Sequence, residues 1–123
     1  MSDLSSPEMR DGTLSLRKSE TDSLCTLCLA GELDLANCDT LEAELESAGR
    51  EGMEIVLDMT ELDFIDSTGI ALLIATHNRL NSGEVRFRLV PSRSDAVVRV
   101  LKLTGVDESL PTVAGTELPS AAA

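Results

Sequence analysis

The chain has no tryptophan or tyrosine and only two phenylalanines in 123 residues. Its core must therefore be assembled from Leu, Val, Ile and Ala. No apolar run approaches the roughly 20 residues of a membrane-spanning helix. The first dozen residues, Met1 to Gly12, are polar and carry both signs of charge, unlike a secretory signal. The expectation is a soluble cytoplasmic protein. Positive charge is scarce: 10 basic residues stand against 22 acidic ones, for a net charge of −12. Nucleic acid and anionic membrane, which need clustered Lys and Arg, are excluded as natural partners. A partner with a basic surface is favoured, although a solvated acidic face also accounts for such charge.

Histidine occurs once, as His77, and cysteine three times, as Cys25, Cys28 and Cys38. An odd cysteine count argues against a disulfide framework. Cys25 and Cys28 form a C-x-x-C, but no second pair of ligands completes a tetrahedral zinc site. The pair also lies inside the apolar run Leu24 to Ala30, which reads as a strand. Residues three apart in a strand face opposite sides, so core packing is the expected role. Neither a metal nor any other cofactor is expected.

What the chain does contain is an alternation of strands and helices. Residues 1–12 read as a disordered arm, 13–113 as one α/β domain and 114–123 as a flexible tail. Within the domain, Thr13 to Lys18 reads as an edge strand and Ser23 to Leu33 as a longer buried one. Leu35 to Ala48 spaces Leu41, Leu45 and Ala48 as a helix, with Gly49 in a C-cap position. Glu54 to Met59 is a buried strand and Ser67 to Asn81 a helix. The apolar residues of that helix, Ile70 to Ala75, nearly surround its axis, so it is buried on more than one side or faces a partner. Val85 to Val90 is a strand, Ser94 to Thr104 a last helix stopped by Gly105, and Leu110 to Val113 a further short strand. This order predicts a mixed sheet of four to five strands with helices packed against it.

Between the third strand and the long helix stands Asp66-Ser67-Thr68-Gly69. One hydroxyl at a helix start is explained by capping. Two hydroxyls and a carboxylate exceed that need. The free N–H groups and the positive end of the helix dipole also favour a covalently attached anion. Ser67 is therefore read as a regulatory phosphorylation site, with its role as a simple cap the alternative. A catalytic serine would need a base within reach. His77 lies ten residues along the same helix, roughly 15 Å away, and no G-x-S-x-G elbow is present. No phosphate-binding glycine loop occurs either, so the chain is expected to be a kinase substrate and not an enzyme. Asp34 has a plain reading as the cap of a helix starting near Leu35. A Mg²⁺ site from Asp58, Asp63 and Asp66 would require carboxylates that the sequence alone does not bring together.

Several of these segments together resemble one family. They are Gly31-Glu32-Leu33-Asp34, the strand end Leu57-Asp58, Phe64-Ile65-Asp66-Ser67-Thr68-Gly69-Ile70, and Leu103-Thr104-Gly105-Val106. They look like a STAS domain, and more narrowly like the stand-alone bacterial anti-sigma factor antagonists. The resemblance implies a protein that binds an anti-sigma factor and so releases a sigma factor. It further implies that the anti-sigma factor is a GHKL-type serine kinase, and that a PPM-type phosphatase reverses its action. Carried over by motif, the phosphoacceptor is Ser67, with Thr68 the secondary candidate. The partner-binding positions are Asp34, Asp66, Ser67, Thr68, Gly69 and Ile70. Ala71 stands where many members repeat a glycine. The other reading is an unswitched STAS interaction module of a larger signalling assembly.

Overall fold

The computed structural model describes residues 8–111, apart from the side chains of Asp107 and Ser109. The elements in order are β1 (Glu8–Asp11), β2 (Leu14–Glu20), β3 (Leu24–Leu33), α1 (Cys38–Arg50), β4 (Glu54–Ile65), α2 (Ser67–Ser82), β5 (Phe87–Val90), α3 (Asp95–Thr104) and α4 (Val106–Ser109). The strands form one sheet in the order β1-β2-β3-β4-β5. The first three make an antiparallel meander, and β3, β4 and β5 run parallel. The two parallel steps cross over through α1 and α2. Both steps move in the same direction along the sheet, so crossovers of one hand put both helices on one face.

Strand β3 shows why that face is the core side. Cys25, Leu27 and Leu29 point into it and are buried, whereas Thr26, Cys28 and Ala30 alternate onto the opposite face and are half-buried. The main core joins these residues to Leu41 and Leu45 of α1, Leu73 and Leu80 of α2, and Val97 and Leu101 of α3. On the opposite face Leu24, Val56 and Val90 form a small separate cluster. The expected mixed sheet is therefore present with five strands, and Cys25 and Cys28 do face opposite sides.

Several expected boundaries are corrected. The segment 1–12 is not wholly an arm, because Glu8–Asp11 pairs with β2 through Met9↔Leu16 and Arg10↔Ser15. Only Met9 of that strand packs against the core, so its sequence carries little apolar signal. As a result β2 is an inner strand and not an edge. Strand β4 runs on past Met59 to Ile65, and β5 begins at Phe87 instead of Val85. Helix α1 starts at Cys38, not Leu35, and passes through Gly49 to Arg50. A Cβ on Gly49 would lie 2.7 Å from Leu80 Cδ2, so this glycine admits the close approach of α2 and is not a cap. Of the expected strand at Leu110 to Val113 only residues 110 and 111 are described; they follow the one-turn α4 and are not in a strand, and Leu110 is buried. Pro111 then accepts a hydrogen bond from the Leu89 N–H at 2.9 Å. The tail 114–123, with 112 and 113, lies outside the described residues.

All three cysteines are free. Burial pushes the Cys25 thiol up from 9.0 to about 11. Burial, with Asp66 and Asp34 nearby, moves Cys38 by the same amount. A thiol whose folded value is raised contributes fully below its unfolded value. Its contribution is lost as pH rises, because the unfolded chain sheds the proton first. Unfolding stability should therefore fall between about pH 9 and pH 11. The slope should be at most about 1 kcal/mol per pH unit for each thiol. Urea titrations of the wild type and a Cys25→Ala, Cys38→Ala variant will test this, with the variant expected to show the shallower fall.

Candidate functional site

The parallel strands β3 and β4 end side by side, with Leu33 opposite Ile65. Just beyond them the two segments diverge toward α1 and α2. The Asp66 N–H still donates to the Leu33 carbonyl at 3.2 Å, so the divergence point is fixed by backbone bonding. Asp66 then caps α2 in extended conformation. Its Oδ1 accepts from the Gly69 N–H at 3.0 Å, and its carbonyl accepts from Ile70 at 3.0 Å. Ser67 is thus the first residue of the helix and not its cap. It is exposed, and no hydrogen bond holds its hydroxyl among the described residues.

On the β3 side, residues 34–37 form a tight turn before α1. Asp34 Oδ1 accepts from the Ala36 N–H at 3.0 Å, and the Asp34 carbonyl accepts from both Asn37 and Cys38. Asn37, only 1 % exposed, closes the turn. Its Oδ1 accepts from the Asp34 N–H at 2.9 Å, while its side-chain amide donates to the Glu32 carbonyl at 3.0 Å. Asp34 is therefore a turn residue at the approach to α1. The helix cap expected there falls three residues later, at Asn37, whose side chain is used within the turn.

The two turns meet at Asp66. Its second oxygen, Oδ2, accepts from the Leu35 N–H at 3.1 Å. Asp34, Asp66 and Ser67 are accordingly brought to one edge of the molecule, with Thr68 half-buried beside them. Gly69 and Ile70 are not on that edge. Ile70 is 6 % exposed and belongs to the core, which corrects its expected place on a docking face. Gly69 is buried against β4, where an added Cβ would lie 2.7 Å from Ile65 Cγ1. Its absent side chain admits α2 to the sheet.

Sequence reasoning missed three residues. Leu35 is 75 % exposed at the tip of the turn that Asp66 holds. Phe64, 47 % exposed, lies opposite Glu32 near the end of β4. Ile74 is 37 % exposed, seven residues along α2 from Ser67. At 3.6 residues per turn, Ser67, Ala71, Ile74 and Asn78 share one helix face, and all four are exposed. The apolar character of α2 on nearly all sides was the available signal. For Leu35 no signal existed, because its exposure follows from the turn.

The remaining candidates scatter. Asp58 lies on the sheet face away from α1 and α2. There its Oδ1 accepts from the Thr60 N–H at 2.9 Å, and Cys28 Sγ is 4.0 Å from Oδ2. Asp63 is exposed on β4 and Asp66 is committed to two amides. Among the described residues no three His, Cys, Asp or Glu side chains are grouped to hold a metal ion. No helix among them is long and apolar enough to cross a membrane.

Comparison with known proteins agrees with this architecture. The family model of the STAS domain matches residues 15–117. The chain is similar to the anti-sigma-B factor antagonist of Staphylococcus aureus, with 26 % identity over 106 residues, covering 85 % of this chain and 97 % of that protein. It also resembles the crystal structure of an anti-sigma factor antagonist from Mycobacterium paratuberculosis. There the TM-score is 0.72 and the identity 26 %, over 80 % of this chain and 84 % of that one. The phosphorylated form of the Bacillus cell fate determinant SpoIIAA shares the fold, with a TM-score of 0.64 and 22 % identity over 83 % of this chain and 94 % of that one.

Proposed function

This chain belongs to the STAS domain family, and from that premise we propose that it is an anti-sigma factor antagonist switched off by phosphorylation of Ser67. It binds an anti-sigma factor, and the sigma factor is released. The observation that carries the reading is the position of Ser67. Its hydroxyl is exposed at the first residue of α2, uncommitted to capping, between the projecting Leu35 and the exposed face of Ala71 and Ile74. An apolar surface of this kind suits a protein partner.

The same position suits phosphoryl transfer from a partner. The anti-sigma factor acts as a serine kinase of the GHKL type and brings ATP and Mg²⁺. The Ser67 oxygen forms a bond to the γ-phosphorus, the bond to the β-phosphate oxygen breaks, ADP leaves and the serine proton is released. A PPM-type phosphatase hydrolyses the ester again. The chain contributes the acceptor and the docking surface and no catalysis of its own. His77 sits ten residues along α2 from Ser67, roughly 15 Å, outside the reach of a general base. The family fold accommodates a phosphoryl group in the Bacillus neighbour.

The test pairs the protein with each candidate anti-sigma kinase from the same genome. The wild type and Ser67→Ala are expected to bind one kinase with affinities equal within about two-fold, because removing an exposed hydroxyl away from caps changes little. Mass spectrometry after ATP should find one phosphate at Ser67 in the wild type and none in Ser67→Ala. Binding without modification would leave an unswitched interaction module, and modification at Thr68 would move the acceptor by one residue.

A further inference from the structure

A helix cap needs one acceptor oxygen, and Ser, Thr, Asn and Asp supply it about equally well. Asp66 uses two. Oδ1 caps α2 through Gly69, and Oδ2 holds the Leu35 N–H of the turn before α1. The second bond has nothing to do with capping and spans 31 residues of sequence. It joins the start of α2, which carries Ser67, to the turn that carries Leu35, and because the two N–H groups sit on separate oxygens, only a carboxylate serves both in this arrangement. Asn has one acceptor oxygen, and its NH₂ would face an N–H; Ser has a single oxygen. The turn has its own internal bonds through Asp34 and Asn37, which shape it but do not reach α2.

We infer that Asp66 is a positioning residue: its carboxylate clamps the Leu35 turn to the N-terminus of α2, so that Leu35 and Ser67 meet the partner as one preformed surface. This rests on the docking function proposed above and assigns Asp66 a part in it that differs from direct partner contact. Each oxygen of the half-buried side chain is already engaged within the chain. Without the clamp, the turn and its exposed leucine have to be ordered on binding, which lowers affinity.

Two variants isolate the clamp from the cap. Asp66→Ser and Asp66→Asn each keep one acceptor for α2 and lose the second. In the free full-length protein, hydrogen exchange is expected to show the Leu35 amide exchanging roughly ten-fold faster or more in both variants. Affinity for the cognate anti-sigma factor should fall roughly ten- to hundred-fold, as for loss of a hydrogen bond to a charged group. A double-mutant cycle with Leu35→Ala supplies the readout that a general loss of stability would not move. The effects of Asp66→Ser and Leu35→Ala should be strongly non-additive, since each disables the same leucine. Additive losses, or weakened binding with an unchanged Leu35 amide, would show Asp66 touching the partner itself and overturn the inference. An unchanged amide with unchanged binding would overturn it as well. If the wild type binds no anti-sigma factor, the docking function fails. Exchange at Leu35 then decides the clamp alone.

Discussion

Phosphorylated protein is expected to bind the anti-sigma factor about a hundred-fold more weakly than unmodified protein, while its thermal midpoint stays within a few degrees. The argument begins with charge. A phosphoserine brings about −1.5 to −2 charges and three acceptor oxygens. At the first residue of α2 the free N–H groups and helix dipole offset part of that charge, typically by 0.3–1 kcal/mol. Asp66, adjacent in sequence, and Asp34, on the turn it holds, act in the opposite direction. The two influences largely cancel within the folded chain, so unfolding is not the readout. At the interface nothing cancels. A dianion would have to be desolvated against an apolar surface that includes Leu35 and Ile74, at a cost of several kcal/mol. Ser67→Glu carries a single charge on a longer stem and should lose less, about ten-fold. The expected order of affinity is wild type equal to Ser67→Ala, then Ser67→Glu, then the phosphorylated protein. Calorimetric titration of all four against one anti-sigma factor checks it. Equal affinities for all four would end the switch, and a collapsed melting temperature in Ser67→Glu would replace repulsion by unfolding.

Much of this arrangement is legible in the sequence, and the boundary of legibility has physical causes. Elements that bury one continuous apolar face announced themselves. Cys25, Leu27 and Leu29 alternate, Leu41 and Leu45 repeat at helical spacing, and Ile55-Val56-Leu57 is an unbroken apolar run. The Asp-Ser-Thr-Gly turn located the start of α2 to the residue. What escaped was held by backbone geometry or by long-range pairing. Strand β1 is polar, and β2 supplies its hydrogen-bonding partner. The second half of β4 is interrupted by Thr60, Glu61 and Asp63, so its apolar pattern fades while its pairing to β3 continues through two register shifts. Polar residues at a sheet end are as compatible with a turn as with a strand.

The site shows the same division. Spacing brought Asp66 and Ser67 to a helix start, but which of them caps depends on φ and ψ, and Asp66 takes the extended conformation a cap requires. Ile70 was expected on the partner's side because it follows the acceptor. One residue further on, Ala71 occupies that face, a rotation of 100° that the periodicity permitted but did not decide. The exposed Leu35 illustrates the converse. Its sequence context, Asp34-Leu35-Ala36-Asn37, reads as the opening of a helix, and only the hydrogen bonds of Asp34 and Asn37 turn it outward. Local propensity was overridden by a side-chain network that links positions three residues apart on one strand end to a carboxylate on another.

Gly31→Ala is expected to destabilise the fold by about 4 kcal/mol, a large share of the 5–15 kcal/mol typical of a domain this size. Gly31 has a φ of +93°, in the region an L-residue enters only with strain, at roughly 1–3 kcal/mol. Space is also missing. An added Cβ would fall 2.0 Å from the Thr13 carbonyl oxygen, which is backbone and cannot rotate away. The β1–β2 turn at Thr13, and with it the start of β2, would have to shift, at the further cost of roughly 1–3 kcal/mol of an overpacked site. The same carbonyl accepts the Glu32 N–H at 3.3 Å, so moving it loosens the following residue too. Glu32 opens the last stretch of β3, where the register against β4 shifts between Gly31 and Glu32, and that shift aligns Leu33 with Ile65. The Leu35 turn and Ser67 both start from this pair. A strained Gly31 should therefore weaken anti-sigma factor binding as well as stability, although it lies outside the docking surface. Urea unfolding measures the first effect and titration at low temperature, where the variant is folded, measures the second. Gly12→Ala is the control, since its φ of +63° carries similar strain while an added Cβ would meet nothing within 4 Å. Its cost should stay near 1 kcal/mol. Equal costs for the two variants would mean that backbone strain alone matters at Gly31 and that the close approach to Thr13 does not hold the register.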